Sequence, residues 1–420
     1  MNAFLKLFII SSILPFISFC TESDTRTAFE KLNTNNKEIT FWHTMNSEET
    51  QTLKKIIAEF EKENPTIKVR TQMVPFSDAQ NKYKIAAGAG DAPDVFRAEI
   101  AWIADLAELG FLEDLKNKIP KSDLEDYLPA ALAYGKYKSS LWAIPQVTDC
   151  LALLYNKSLL KSKKVKVPES FADLVKIGPS LTNPGNGEYA LGFNPEGYWA
   201  QIFIWAFGGN LIDGETREIL VSNEASLQGM EFLKSLYFDH KIMSDEIDFV
   251  NGYNNMMTSF KQGKTAMIFN GPWSTSDILK GEVFKDQSNL GVGIIPKGPS
   301  GFGSPVGGHS YVLYAGSKYK EASLKFIQFL SETKNQVEFA VKHNLLPTRK
   351  SAYDNKDLKK NSILQGFKAQ LEVATNRPVI PEGARIYTDL NTGVQQVLSG
   401  SVEPKKAMEK VAKKWKKFLR

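Results

Sequence analysis

Strand-like and helical patterns alternate along the first part of the chain, and the links between them are short. Residues 37–42 predict a first strand, and from Thr50 the apolar residues recur at helical spacing until Asn64. Residues 67–74 alternate like a second strand, and a helical pattern follows at 81–87. This order favours a mostly parallel sheet covered by helices on both faces, in which ligands bind at the carboxyl ends of the strands.

A second unit of the same kind begins near Asp149. Residues 151–155 predict a strand, and residues 198–207 an apolar helix. The Pro/Gly/Ser-rich passage 296–308 is typical of a crossing or hinge, and the last stretch, 363–420, is mainly helical in pattern. At 420 residues the chain is long enough for two or three domains, or for two lobes of one architecture.

One strand ends at a tryptophan. Residues 266–269 form an apolar run with the length of a buried strand, and residues 270–272, Asn-Gly-Pro, end it abruptly before Trp273. A strand that ends in a turn and then presents a large ring is typical of a ligand-binding sheet edge. The alternative, that Trp273 is an ordinary core residue, stays open.

Composition and charge exclude several classes of function. A hydrophobic content of 42% and a charged content of 24% indicate a soluble globular protein. The net charge is +5, and the lysine-rich stretches 161–166 and 405–420 do not interleave with aromatic residues, so we expect no nucleic-acid partner. With four histidines and two cysteines, widely spaced, no metal site is expected. The chain has no phosphate-binding Gly-rich loop with Lys-Ser/Thr, so it should not hydrolyse ATP.

The first 20 residues predict a signal peptide and therefore export. Lys6 precedes the apolar run 7–17, which is too short to span a bilayer. Cys20 stands either at the end of a cleavage site or as the lipid-modified first residue of a bacterial lipoprotein. We favour the lipoprotein, because the polar residues 21–37 suit a flexible tether. The expected location is the periplasm or the outer face of the cytoplasmic membrane, with a lipid anchor through Cys20.

Several motifs occur in an order that is familiar from one family. They are Thr40-Phe41-Trp42, residues 60–69 (FEKENPTIKV), 89–96 (AGDAPDVF), 154–157 (LYNK) and 263–273 (GKTAMIFNGPW). Taken together, they resemble the extracytoplasmic solute-binding proteins of carbohydrate ABC importers, above all the maltose/maltodextrin and trehalose-maltose binding proteins. The resemblance runs from about Glu38 to about Lys417.

The resemblance implies an α/β, two-lobed type II periplasmic-binding-protein fold. Each lobe is then a mostly parallel sheet with helices on both faces, and hinge crossovers near Asp149, Val306 and Lys360 join the lobes. The implied N-terminal lobe comprises 38–148 and 308–358, and the implied C-terminal lobe comprises 149–307 and 359–420.

The implied function is that of the substrate-binding component of an ABC sugar importer. Such a protein binds an α-glucoside such as maltose, maltodextrin or trehalose between its lobes and delivers it to the membrane permease, without a cofactor and as a monomer. Three alternatives remain: a binder of another di- or oligosaccharide, a surface adhesin or structural lipoprotein, and a glycoside hydrolase. In the hydrolase, Asp149 and Glu196 would flank the scissile bond.

A sugar presents apolar C–H faces to aromatic rings and hydroxyls to charged or amide groups. Matched residue by residue, the resemblance implies that Glu99, Asp149 and Glu196 bind hydroxyls, and that Tyr198 and Trp273 are stacking platforms. The whole implied sugar-binding set is Glu48, Glu99, Trp102, Asp149, Glu196, Tyr198, Trp273, Gly307, Gly308, His309, Arg377 and Tyr387. The maltose binders carry an acid-lysine pair after the first strand, whereas this chain has residues 44–49 (TMNSEE), of which Glu48 is the best candidate to reach the sugar. Arg377 and Tyr387 also differ from the residue types of the maltodextrin proteins, and Arg377 is closer to the trehalose-maltose branch.

Purely structural roles compete with these assignments. Asp149 could cap a strand end, and Glu196 could be an acid favoured by a helix dipole. We interpret His309 as a lining residue rather than a metal ligand, and Cys150 as a small buried residue rather than a nucleophile. The tryptophans expected in the core are Trp42, Trp142 and Trp205.

Overall fold

The computed structural model describes residues 36–244 and 246–419. The predicted signal peptide 1–20, with Cys20, and the tether residues 21–35 lie outside the described residues. Within the described ranges, no helix has both the length and the apolar character needed to cross a membrane. In the same ranges, no group of three or more His, Cys, Asp or Glu side chains is arranged to hold a metal ion.

The strands of this part of the chain are short. They are β1 (Lys37–His43), β2 (Ile67–Met73), β3 (Val95–Glu99), β4 (Lys136–Tyr137), β5 (Ser140–Leu141), β6 (Ala143–Cys150), β7 (Ala152–Asn156), β8 (Tyr189–Gly192), β9 (Thr265–Asn270), β10 (Leu290–Gly293), β11 (Val306–Leu313) and β12 (Leu346–Pro347).

Helices fill most of the intervals between the strands. They are α1 (Ser47–Glu63), α2 (Phe76–Gly88), α3 (Ile103–Glu108), α4 (Lys121–Glu125), α5 (Pro129–Tyr134), α6 (Lys157–Ser162), α7 (Phe171–Leu181), α8 (Gly197–Ala206), α9 (Glu224–Phe238), α10 (Gly252–Lys261), α11 (Thr275–Ile278), α12 (Lys320–Leu330), α13 (Thr333–His343), α14 (Lys356–Lys360), α15 (Ser362–Leu371), α16 (Arg385–Leu398) and α17 (Pro404–Trp415). Short 3-10 turns lie at Ile100–Trp102 and Pro272–Ser274, among other places.

Helix α1 illustrates how the sequence determines an element. The Asn46 side chain accepts a hydrogen bond from the Glu49 backbone N–H at 2.9 Å and so caps the first turn. Leu53 and Phe60 then lie on one buried face at helical spacing. The helix ends at Glu63, before Asn64-Pro65, because the residue before a proline disfavours the helical conformation.

The first lobe is built on a six-stranded sheet in the order β12-β6-β11-β3-β1-β2. Strand β1 pairs with β2 and β3 in parallel, but β11 runs antiparallel to both β3 and β6. Val95 packs into the core on one face and Phe96 into the core on the other. The expectation of helices on both faces is therefore confirmed for this lobe.

The second lobe is built on a four-stranded sheet in the order β10-β7-β9-β8. Only the β8–β9 pairing is parallel within it, since β7 runs antiparallel to β9 and β10. Phe269 and Ile268 of β9 again pack into cores on opposite faces.

The α/β prediction is thus confirmed, but the sheets are mixed rather than mostly parallel. The physical reason is the path of the chain between the sheets. Strand β6 carries the chain out of the first sheet into β7 of the second, and β11 carries it back, so the leaving and returning strands lie side by side in opposite directions.

Candidate functional site

A buried ion pair lies where the two lobes meet. The Arg377 guanidinium pairs with the Glu99 carboxylate at the end of β3, and the Arg377 side chain is 7% exposed. Arg377 Nε also donates to the Val306 carbonyl at 2.9 Å, and the Arg377 backbone N–H donates to the Tyr134 hydroxyl oxygen at 2.7 Å. These contacts hold the guanidinium against strands β3 and β11 of the first sheet and attach the backbone of the segment after α15 to helix α5.

Asp149 and Gly307 face each other in the β6–β11 register. A Cβ on residue 307 would lie 2.1 Å from Asp149 Oδ1 and 2.8 Å from the Tyr198 hydroxyl oxygen, so only glycine fits between these groups. Burial raises the pKa of Asp149 to about 7, with Arg377 opposing the shift and Glu99 adding to it. Asp149, Glu99, Arg377 and Tyr198 therefore form one electrostatic cluster.

Aromatic side chains of the second lobe continue this cluster. The Arg377 guanidinium carbon lies 5.4 Å from the centre of the Tyr198 ring, at the start of α8. The Tyr198 and Tyr387 ring centres are 6.1 Å apart, and the Tyr387 hydroxyl donates to Gln201 Oε1 at 3.2 Å. Burial raises the pKa of the Tyr387 hydroxyl, so this group stays protonated and can donate.

Trp273 also lies in the second lobe. It lies in the 3-10 turn after β9 with its ring over Gly271, where a Cβ would come within 1.9 Å of the ring. The ring is half-buried against the second-lobe core, which also includes Trp199. Trp199 in turn packs between Tyr198 and Tyr253, with ring-centre distances of 5.5 and 6.0 Å.

Glu196 immediately precedes α8 and is half-buried. Its side chain makes no capping hydrogen bond with this helix, but Glu196 occupies the position before the first helical residue, where the helix dipole favours an acid. Burial raises the pKa of the Glu196 carboxyl.

The first-lobe side of the cluster is aromatic as well. Trp102 is 5% exposed and lies between Phe96 at 5.9 Å and Phe76 at 5.2 Å, measured between ring centres. The His309 ring is 6.0 Å from Phe76, and both of its ring nitrogens are buried without a hydrogen-bond partner. Gly308 adopts φ of +141°, and a Cβ there would lie 2.4 Å from the Val147 carbonyl oxygen.

Glu48 makes a different contact. Its carboxylate pairs with Lys280, which follows α11 in the second lobe, and this hydrogen bond is the main reason that the pKa of Glu48 is lowered to about 2. The pair therefore links the first turn of α1 to the opposite lobe.

The structure brings most of the implied set together. Glu99, Asp149, Tyr198, Gly307, Arg377 and Tyr387 form the central cluster, with Trp102, Gly308 and His309 on the first-lobe side and Glu196 and Trp273 on the second-lobe side. Of the residues expected in the core, Trp205 is buried, whereas Trp42 and Trp142 are half-buried. Cys150 is fully buried, as predicted.

Sequence reasoning missed a buried polar layer beneath this cluster. Arg97 Nε donates to Gln146 Oε1 at 2.6 Å, and Arg97 Nη1 donates to Thr44 Oγ1 at 2.8 Å. Burial raises the pKa of the nearby Glu49 carboxyl, and burial with the Arg97 charge lowers the pKa of His43 to about 4. One feature of the sequence could have indicated this layer: Arg97 stands inside the otherwise apolar run 95–98, and a buried charge requires polar partners.

Phe76 was also missed. It is a lone aromatic residue after a proline, outside any periodic pattern.

Comparison with known proteins identifies relatives over almost the whole described chain. The family model of bacterial extracellular solute-binding proteins matches residues 46–337. The galactooligosaccharide-binding protein of Bacillus subtilis (strain 168) is 26% identical over 392 residues, which cover 91% of this chain and 89% of that protein. A maltooligosaccharide ABC transporter solute-binding lipoprotein of Streptococcus pneumoniae (strain ATCC BAA-255 / R6) is 27% identical, covering 78% of this chain and 76% of that protein.

A solved structure agrees with these matches. The GacH receptor of Streptomyces glaucescens GLA.O, known without ligand and in complex with acarbose and an acarbose homolog, superimposes with a TM-score of 0.87. It is 37% identical in sequence, and the match covers 91% of this chain and 98% of that one.

Proposed function

Because the chain belongs to the bacterial extracellular solute-binding protein family, we propose that it is the substrate-binding component of an ABC sugar importer. Its ligand is an α-glucoside such as maltose, a maltodextrin or trehalose, held between the two lobes. Another di- or oligosaccharide is the second candidate, favoured by the relative in Bacillus subtilis that is named for galactooligosaccharides.

The observation that carries the proposal is the cluster at the junction of the two sheets. It places carboxylates and a guanidinium, which suit sugar hydroxyls, beside the Tyr198 and Tyr387 rings, which suit the C–H faces of a sugar. The groups come from both lobes. A ligand that touches both walls has a higher affinity for the closed arrangement and stabilises it by that difference.

The crossovers give this closure a mechanical basis. Strands β6 and β11 belong to the first sheet, contain Asp149 and Gly307, and connect directly to the segments that lead to and from the second sheet. Rotation about these connections would open and close the site. We place the lobes at 38–148 with 308–358 and at 149–307 with 359–420.

Delivery requires a membrane partner. We propose that the loaded monomer docks on the permease subunits of an ABC transporter, whose separate ATPase subunits supply the energy. Export by the signal peptide and a lipid anchor at Cys20 would keep the protein at the outer face of the cytoplasmic membrane. The relative in Streptococcus pneumoniae, named a lipoprotein, supports the anchor. Mass spectrometry of the mature amino terminus tests it, because acylation adds the mass of a diacylglyceryl group to Cys20.

Calorimetric titration tests the ligand assignment. The panel is maltose, maltotriose, trehalose, sucrose and a galactooligosaccharide. Replacing Trp273 with alanine should weaken binding by roughly 1 to 3 kcal/mol, because stacking and burial are lost. Tyr319→Ala, a partly exposed aromatic residue before α12, is the control and should leave binding unchanged. Unchanged titration of Trp273→Ala would remove Trp273 from the site, and no binding of any sugar by the native chain would overturn the proposed function.

A binding protein should leave its ligand intact. We infer that Asp149 and Glu196 bind hydroxyls and do not cleave glycosidic bonds. Prolonged incubation with maltotriose, followed by chromatography of the sugars, should recover maltotriose only. Release of glucose or maltose at a catalytic rate would support the hydrolase alternative instead.

A further inference from the structure

The net positive charge of the chain lies in helix α17 and the few residues that follow it. Residues 404–420 contain eight of the 52 basic residues and one of the 47 acidic residues, which gives this stretch a net charge of +7. The whole chain has a net charge of +5, so residues 1–403 together have a net charge of −2. A charge asymmetry of this kind indicates contact with an anionic polymer or an anionic surface.

Packing leaves the lysines on one side of the helix. Met408, Val411 and Trp415 are buried in the core of the second lobe. A Cβ on Gly393 of α16 would lie 2.6 Å from Val411 Cγ2, so α16 covers this apolar side closely. The exposed lysines lie on the opposite side and in the turn after the helix, and they are Lys405, Lys406, Lys410, Lys413, Lys416 and Lys417. Helix α17 therefore presents charge to solvent while its apolar side is already occupied.

Ion pairs neutralise little of this charge. Lys414 pairs with Asp389 of α16 at 2.8 Å, and within residues 36–419 it is the only lysine of α17 with an acidic partner. Glu409 is the only acidic residue of the helix itself. Arg385 of α16 adds a further positive charge beside the helix end, where its guanidinium carbon lies 3.9 Å from the centre of the Phe418 ring. The basic face is thus largely uncompensated by its surroundings.

The spacing of the lysines favours a broad anionic surface over a small anion. Lys406 and Lys413 are separated by two turns of helix, or about 10 Å along the axis. This distance is comparable with the screening length of about 8 Å at physiological salt, so the fields of neighbouring lysines overlap. A small anion can contact only one or two of these side chains, whereas a layer of anionic headgroups can approach all of them together. Clusters of four to eight lysines or arginines on an amphipathic helix are typical of contact with anionic lipid.

The proposed anchor would bring such a surface within reach. Residues 21–36 separate Cys20 from strand β1, and sixteen residues span at most about 55 Å when fully extended. A compact chain of this size is expected to have a diameter of about 55 Å. A tether of that reach allows the second lobe, and not only the region around β1, to come to the membrane surface.

We propose that the exposed lysine face of α17 docks on an anionic phospholipid bilayer and turns the second lobe toward it. The contact is electrostatic and reversible, because the apolar side of α17 is packed against the protein and is not available for insertion. The inference goes beyond the proposed function, since it concerns the orientation of the protein at the membrane and involves no residue of the ligand cluster.

Co-sedimentation with phospholipid vesicles tests this surface. The probe is the mature chain from Thr21 without an anchor, which keeps the whole fold because both sheets and the cores that cover them lie within residues 36–419. Phosphatidylcholine vesicles with about 30% phosphatidylglycerol should bind this chain at low salt, whereas vesicles of phosphatidylcholine alone should not. Salt at about 0.5 M should release the chain, because it screens the charges.

Two triple variants locate the contact. Lys406→Gln/Lys410→Gln/Lys413→Gln removes three exposed charges from one stripe of α17 and should weaken vesicle binding by about 100-fold, as expected for three lysines at an anionic surface. The matched control is Lys161→Gln/Lys163→Gln/Lys164→Gln. It removes the same charge from exposed lysines around the end of α6 in the same lobe, and it should keep vesicle binding within about 3-fold.

Each outcome bears on the docking surface. A loss confined to the α17 variant supports it. Equal losses in the two variants, undiminished binding by the α17 variant, or no binding by the native chain would overturn it. Displacement of the vesicles by soluble inorganic polyphosphate at the same phosphate concentration would assign the face to a soluble polyanion and show that the bilayer assignment is wrong.

Sugar titration separates this inference from the proposed function. The α17 variant should bind sugar within about 2-fold of the native chain, because its substitutions are distant from the ligand cluster in the fold. Failure of vesicle binding would leave the importer function standing, and failure of the native chain to bind sugar would leave the docking surface standing.

Discussion

Loss of the Arg377 guanidinium should destabilise the folded protein more than loss of any solvent-exposed cation. The perturbation is Arg377→Met, which keeps an unbranched apolar stem but removes the charge. It leaves the buried Glu99 carboxylate without its counter-ion and removes a positive neighbour from Asp149. It also removes the hydrogen bond to the Val306 carbonyl oxygen and the contact with the Tyr198 ring.

The size of the effect follows from the burial of the pair. Arg377 and Glu99 are 7% and 9% exposed, and removing one partner of a buried ion pair typically costs about 3 to 5 kcal/mol, because the other charge is left without compensation. The double variant Glu99→Gln/Arg377→Met removes both charges of the pair, so no unpaired charge stays buried. The double variant should therefore be more stable than the sum of the two single losses predicts, by about 1 to 3 kcal/mol.

Equilibrium urea unfolding measures these free energies. The native chain, the two single variants and the double variant form a complete cycle, followed without sugar by tryptophan fluorescence and circular dichroism together. Arg70→Met is the matched control: Arg70 pairs with Glu38 at 3.4 Å on the surface, so its loss should cost less than about 1 kcal/mol.

Two results would refute the reasoning. If Arg377→Met cost no more than Arg70→Met, the Arg377–Glu99 pair would not stabilise the lobe junction. If the losses of the single variants simply added in the double variant, the two side chains would not be energetically coupled.

Two further predictions concern charge. Burial raises the pKa of Asp149 to about 7 in the folded state, above its usual value of about 4, so the folded chain binds this proton more tightly and loses stability as pH rises between those values. The free energy of unfolding of Asp149→Asn, measured by thermal and urea unfolding without sugar, should therefore rise relative to that of the native chain from pH 4 to pH 8, and the difference should have grown by about 4 kcal/mol at pH 8. A difference that stays constant or shrinks with pH would contradict this. Lys280→Met breaks the pair with Glu48 that links the lobes, and because Lys280 is 57% and Glu48 35% exposed, sugar affinity should fall by less than about 1 kcal/mol. Titration at low salt should show this loss and titration at 1 M salt should not, while an equal loss in both would argue against an electrostatic origin.

The regular elements of the first lobe could be predicted because each has one clear period. Strands β1 and β2 and helix α1 lie within a few residues of the predicted bounds. Strand β6 could not be predicted in this way. Pro145 and the polar Gln146, Thr148 and Asp149 interrupt any apolar pattern, yet all eight residues of the strand are buried. The reason is that β12 and β11 pair along its two edges and that its two faces pack into different cores.

The carboxyl-terminal region contains a second feature that the sequence pattern did not predict. The sequence predicts a mainly helical stretch from Ile363, but residues 372–384 are not helical and carry Arg377 into the site. Pro378 and Pro381 are the physical reason, since each lacks a backbone N–H and clashes with the preceding turn of a helix. The acidic residues of the site were found through a resemblance, whereas Phe76 required the three-dimensional packing of Trp102 beneath it.

The crossing of the chain between the sheets also governs the order in which the protein can fold. Strand β11 lies between β6 and β3, so the first sheet is divided until residues 306–313 have been made. The second sheet is complete at Gly293, but its core includes Val394 and Trp415 near the end of the chain. A nascent chain therefore can complete neither lobe early, and the edges of β3 and β6 remain unpaired while synthesis proceeds. Such long-range pairing slows folding and leaves strand edges open to association. The same crossing that brings Asp149 and Gly307 side by side makes the assembly of both lobes one late, shared event.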